Sequence, residues 1–196
     1  MEALSRGLHT VRRENPTTNH YFTPSHLVRE TLKPELIRQS LLDCAVEQHQ
    51  VDEATQVIIE GAWNVYAILI MIRKPQYILA FIKDDHLQRS TIDNKLPLSL
   101  ERLNKVLKDP ITVDEFYDKQ WGFTAPLFSK SVFIRSLPDK FVLPFLTDVE
   151  LGEGSFGKVY KIQIEHSFQL FGREPYHEVS FNTEYHALST RIDLAI

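Results

Sequence analysis

Residues 151–161 read Leu-Gly-Glu-Gly-Ser-Phe-Gly-Lys-Val-Tyr-Lys, and the three glycines at 152, 154 and 157 are the spacing in this chain best suited to chemistry. Glycine carries no Cβ, so backbone N–H groups at such positions can come close to phosphate oxygens. Glycine loops serve several folds, and the flanks decide among them. A dinucleotide-binding turn needs a strand before the glycines and a helix opening on the third, so that the helix N-terminus meets the pyrophosphate. Here Val159 to Ile164 alternate with period two, which is a strand pattern. A P-loop would use Gly152, Gly157 and Lys158, but Val159 stands where the Mg²⁺-binding Ser or Thr belongs. A plain hairpin with glycines in its turn is the competing structural reading.

The whole run, G-x-G-x-x-G-x-V between two antiparallel strands, resembles the glycine-rich loop of the protein kinases. The resemblance covers about residues 141–165 and implies an ATP site. Leu151, Gly152, Glu153, Gly154, Ser155, Phe156, Gly157, Lys158 and Val159 would form it. The glycines would face the phosphates, Phe156 would cover them from the tip, and Leu151 and Val159 would press on one face of the adenine. A looser likeness spans most of residues 25–165. It rests on Trp121-Gly-Phe-Thr-Ala-Pro-Leu-Phe128 and Val142-Leu-Pro-Phe145, and it is similar to Ser/Thr protein kinases of filamentous fungi that carry a helical region ahead of the catalytic domain.

The departures from that family matter for activity. A kinase needs a lysine on the next strand, paired with the nucleotide phosphates and a glutamate, then a catalytic loop and a metal-binding Asp-Phe-Gly. The last lysine here is Lys161, two residues past the motif's valine, and Arg173 sits in a turn-like Phe171-Gly-Arg-Glu-Pro175. A planar guanidinium is no replacement for a compact ammonium. No residue is therefore assigned a catalytic role. ATP is expected to bind weakly, and Mg²⁺ only if the missing kinase parts were present. The tail from about Leu170 leaves the family pattern, as a truncation, retained intron or frameshift between Phe168 and Glu178 would cause. The expected function is the ATP-binding N-terminal portion of a Ser/Thr kinase. The alternative is a non-catalytic helical interaction module, offering a surface to a protein partner and carrying a vestigial loop.

The elements that must position the loop read as an α+β chain. Residues 1–23 show no apolar period and form a flexible lead-in. Residues 24–135 read as a helical domain of about five helices. Pro34 can open a helix with Ile37, Leu41, Cys44 and Ala45 on one face. Asp52 can cap the next, whose series Ala54, Val57, Ile58, Ala62, Val65, Ile68, Leu69 and Ile72 is the clearest in the chain and continues to Pro75. Trp63, Tyr66 and Met71 are core filling on it. Residues 76–81 read as a helix rather than a strand, from their helical neighbours. Ser99 caps a helix with Leu100, Leu103, Val106 and Leu107 inward. Thr112 and Glu115 form a capping box, with Ile111 and Phe116 as its hydrophobic staple. A joining segment leads to the partial kinase domain at 136–170, and in the atypical tail, 171–196, Val179 and Phe181 suggest a brief strand before a helix from Thr183.

Composition adds the outer bounds. The chain has 196 residues, 43% hydrophobic and 24% charged, with a net charge of −4, which gives no reason to expect a nucleic-acid footprint of clustered Lys and Arg. Cys44 is the single cysteine, so no disulfide or cysteine metal site forms within the chain. His166, His177 and His186 match no zinc spacing, and Asp84-Asp85-His86 reads as a solvated loop. No apolar run is long enough to cross a bilayer. The expected location is the cytosol or the nucleus.

Overall fold

A computed structural model describes residues 1–84, 89–128, 134–154, 157–170, 178–186 and 189–195; side chains are described outside 85–90, 129–136, 153–159 and 171–196. The chain is α+β and divides into two interleaved units, Met1–Arg12 with Thr23–Phe123, and Arg13–Phe22 with Thr124–Ile196. Among the described residues no single helix is long and apolar enough to cross a membrane.

The first unit is helical: α1 (Glu2–Val11), α2 (Ser25–Thr31), α3 (Pro34–Leu42), α4 (Gln48–Gly61), α5 (Trp63–Met71), α6 (Ile78–Ile82), α7 (Leu100–Leu107) and α8 (Pro110–Gln120). Its axis is α5, in which every residue from Val65 to Ile70 is buried. A helix apolar on all sides can lie only where neighbours cover it all round. The lead-in expectation is overturned here. Leu4 and Leu8, one turn apart, are buried on α1 and join this core. Gly7 lets α1 approach α2, since a Cβ there would stand 2.9 Å from Thr31 Cγ2.

The single long helix expected through residues 54–72 is two helices, with the axis turning by 116° between α4 and α5. Ala62 leaves the helical region at φ −133°, ψ 29°. Such a break exposes carbonyls on one side and N–H groups on the other, and both need partners. Trp63 Nε1 donates to the Ile59 carbonyl at 2.9 Å. The Asp93 carboxylate accepts from Asn64 N at 2.9 Å and Val65 N at 3.0 Å. Burial pushes the Asp93 carboxyl up from 3.8 to about 6, against those hydrogen bonds and Arg29, which act to lower it.

The helix-start signals fare unevenly. Pro34 stands at the start of α3, and the Ser99 hydroxyl accepts from Arg102 N at 3.2 Å at the start of α7. Leu103, Val106 and Leu107 are buried, but Leu100 is 42% exposed. On α3, Ile37 and Leu41 are buried, whereas Cys44 and Ala45 lie beyond its end. Asp52 lies inside α4, not at its cap, because the helix begins a turn earlier after Glu47. The Thr112 capping box does not form: α8 starts at Pro110, and the Thr112 hydroxyl donates to the carboxylate of Asp109, the residue before the helix. Ile111 is 68% exposed while Phe116 is fully buried, so there is no staple.

The second unit is built on a sheet. A short antiparallel pair, β1 (Arg13–Glu14) and β2 (Tyr21–Phe22), comes from the N-terminal segment. Five further strands follow: β3 (Ile134–Leu137), β4 (Phe145–Gly154), β5 (Gly157–Ile164), β6 (Glu178–His186) and β7 (Ser189–Ala195). They form one antiparallel sheet in the order β3-β7-β6-β5-β4. The expected helix after Thr183 is thus overturned. The free edge of β5 offers unpaired N–H and C=O groups, which the tail satisfies by pairing Lys158–Gln163 with Glu178–Thr183. The alternating β-branched and aromatic residues Val179, Phe181, Thr183 and Tyr185 suit that edge better than a helix. The core holds Phe22, Phe128, Leu137, Val142, Phe145, Ile162, Ile164 and Phe168, with Phe22 and Phe168 edge to face at 5.7 Å.

Candidate functional site

The glycine run lies on the β4–β5 hairpin. Its register pairs Glu150 with Tyr160, Gly152 with Val159, Glu153 with Lys158 and Gly154 with Gly157. A bulge between Glu150 and Gly152 leaves Leu151 without a register partner. Ser155 and Phe156, the tip of the expected site, lie outside the described residues, as do the side chains of Glu153, Lys158 and Val159.

The two faces of the hairpin differ, as strand alternation requires. Phe145, Ile162 and Ile164 are buried in the core, with Tyr160 packed against it. The register puts Val149 opposite Lys161 on the other face. Val149 is 55% exposed on that face, and Leu151, at the bulge, is 57% exposed. Gly152 is exposed too, and a Cβ built on it would meet nothing within 4 Å, nor is its backbone in the left-handed region. Packing and backbone strain within the chain therefore leave its identity unexplained.

The register also bears on the plain-hairpin reading. Two-residue hairpin turns favour Gly, Asn or Asp at the two central positions. With Gly154 paired to Gly157, the glycines flank Ser155 and Phe156 in the sequence, two residues that lie outside the described ones.

Behind the hairpin a feature appears that the sequence reading missed. Asn15 is fully buried. Its Nδ2 donates to the Leu143 carbonyl at 2.8 Å, and its Oδ1 accepts from Thr17 N at 2.9 Å and Thr18 N at 3.0 Å. Thr17 Oγ1 donates to the Asp148 carboxylate on β4. These bonds fix the loop between β1 and β2 against the segment that enters the hairpin. The run Asn15-Pro-Thr-Thr-Asn19 signals a turn in the sequence. Its partners more than a hundred residues away have no local signal.

Other sequence candidates resolve into structural roles. The chain's strand after the hairpin, β6, contains no lysine. Asp84 pairs with Arg102 on α7, while Asp85 and His86 lie outside the described residues. Tyr66 is buried with its hydroxyl 2.6 Å from Ser40 Oγ. His166 is exposed and stands 2.8 Å from Glu165; His177 is outside the described residues, and His186 ends β6. Among the described residues, neither unit by itself gathers three His, Cys, Asp or Glu ligand atoms within metal-binding reach.

Comparison with known protein families, curated proteins and solved structures finds no match to this chain.

Proposed function

We propose that the β4–β5 hairpin is a nucleotide-phosphate loop of the protein-kinase type, in a chain that carries the ATP-facing loop of a Ser/Thr kinase without its catalytic residues. The observation that carries this reading is Gly152, exposed, unstrained and with open space where a Cβ would stand. A ligand approaching the backbone supplies the reason for a glycine that the chain itself does not. Two features support it. Val149 and Leu151 are apolar and open to solvent, as contact with a flat base would require. Gly154 and Gly157 are paired across the two strands, which brings two of the motif's three glycines together.

Binding is weak on this reading. One wall cannot enclose a ligand to the 70–90% typical of a formed pocket, and ordering the loop costs roughly 1–2 kcal/mol per residue fixed. The expected affinity is no tighter than about millimolar, roughly −4 kcal/mol. Titrating the ¹⁵N-labelled chain with ATP, with and without Mg²⁺, tests it. Saturable shifts at the amides of Gly152, Gly154 and Gly157 are expected, indifferent to the metal and weakened several-fold by Gly152→Val. Absence of saturable shifts at those glycines, or a Gly152→Val chain that binds equally well, would refute the proposal.

A further inference from the structure

The loop between β1 and β2 does not close flat onto the base of the hairpin. Between them opens a cleft of about 70 Å³. Phe145 and Ile162 are its buried apolar lining, and Phe141, Leu143 and Tyr160 line it half-buried. Asp139 and Asp148 supply its charge, and among the described residues no Lys, Arg or His lines it. Thr17 occupies one oxygen of Asp148, Oδ2, leaving Oδ1 available. The Asp139 side chain is exposed.

A cleft with apolar and aromatic lining and two carboxylates suits a cation on an aliphatic stem, since such side chains lay their stems on apolar surface and keep the charged head at polar groups. Whole small-molecule ligands fill sites of about 300–1,000 Å³, so this volume suits the end of one side chain. A planar guanidinium can donate to more than one carboxylate oxygen and stack on aromatic rings, whereas an ammonium is a compact, strongly hydrated charge. A second copy of this chain, with net charge −4, is the wrong electrostatic partner. We infer that this cleft binds an arginine side chain presented by a basic peptide. This inference does not rest on the nucleotide reading, because it uses the core-side face of the hairpin and the Asn15 loop.

The test uses the full ¹⁵N-labelled chain at low ionic strength and two probe peptides, acetyl-Gly-Arg-Gly-amide and its uncharged citrulline counterpart. The arginine peptide is expected to shift the amides of Leu143, Asp148 and Tyr160 saturably, with affinity in about the millimolar range. The citrulline peptide is expected to leave them unmoved. Asp139→Asn and Asp148→Asn should each weaken binding about two- to five-fold, as exposed charge pairs do. Asparagine retains an acceptor for Thr17, and an unchanged spectrum of either free variant shows that the fold is intact. Equal binding of the two peptides, or full affinity in the double variant Asp139→Asn/Asp148→Asn, would overturn the inference.

Discussion

Asp93 holds the break between α4 and α5 from 29 residues along the chain, and its titration gives a sign that can be checked. Burial raises its folded pKa from 3.8 to about 6. The folded state then binds the proton more tightly than the unfolded state. Stability from this group is fully present below the unfolded pKa and is lost as pH rises to about 6. A separation of about 2 in pKa corresponds to about 3 kcal/mol. Asp93 keeps some exposure, and screening by solvent brings the expected figure to about 1–3 kcal/mol. Asp93→Asn removes the titration and keeps a carbonyl oxygen for one of the two N–H groups. Urea denaturation of both chains between pH 4 and 7, followed by a helical signal, isolates the effect as a difference of differences. The wild type should lose about 1–3 kcal/mol relative to Asp93→Asn across that window. A flat difference would show that burial does not perturb this carboxyl. A difference of opposite sign would show that the helix N-terminus and Arg29 outweigh desolvation, and the reasoning would fail.

Three further outcomes are expected. Asn15→Ala deletes three hydrogen bonds from a fully buried side chain, so hydrogen exchange at β4 and β5 amides should accelerate by an amount equivalent to about 2–4 kcal/mol, with α5 unaffected. Gly152→Ala meets no neighbour and relieves no strain, so its thermal denaturation should lie within about 0.5 kcal/mol of wild type. On the proposed kinase-loop reading, incubation with labelled ATP and a generic Ser/Thr substrate should give no phosphoryl transfer above a protein-free control, because β6 contains no lysine and the sequence contains no Asp-Phe-Gly.

Local chemistry in the sequence determined those features whose partners are neighbours along the chain. Pro34 opens α3, Ser99 caps α7, and the apolar series through residues 54–72 fills the helical core, because a cap or a periodic face involves residues one turn apart. The strand character of β5 follows similarly from short-range alternation. Where two local solutions compete, the sequence is less reliable. Thr112 reads as a cap, yet Asp109 and Pro110 start α8 a turn sooner. Tertiary structure alone decided the rest. The turn at Ala62 persists because Asp93 accepts the N–H groups that a straight helix would have used internally. Residues 178–186 and 189–195 are strands because β5 presents an open edge, which overrides the tail's helical propensity. Asn15 and Phe22 belong to the sheet unit because their partners, Leu143 and Phe168, lie more than a hundred residues away, at a separation that no periodicity or propensity encodes. The candidate loop shows both halves of this. Its glycines are legible as a spacing, while the exposure of Leu151 and the empty space beside Gly152 exist only once β4 and β5 have been paired and one of their faces buried.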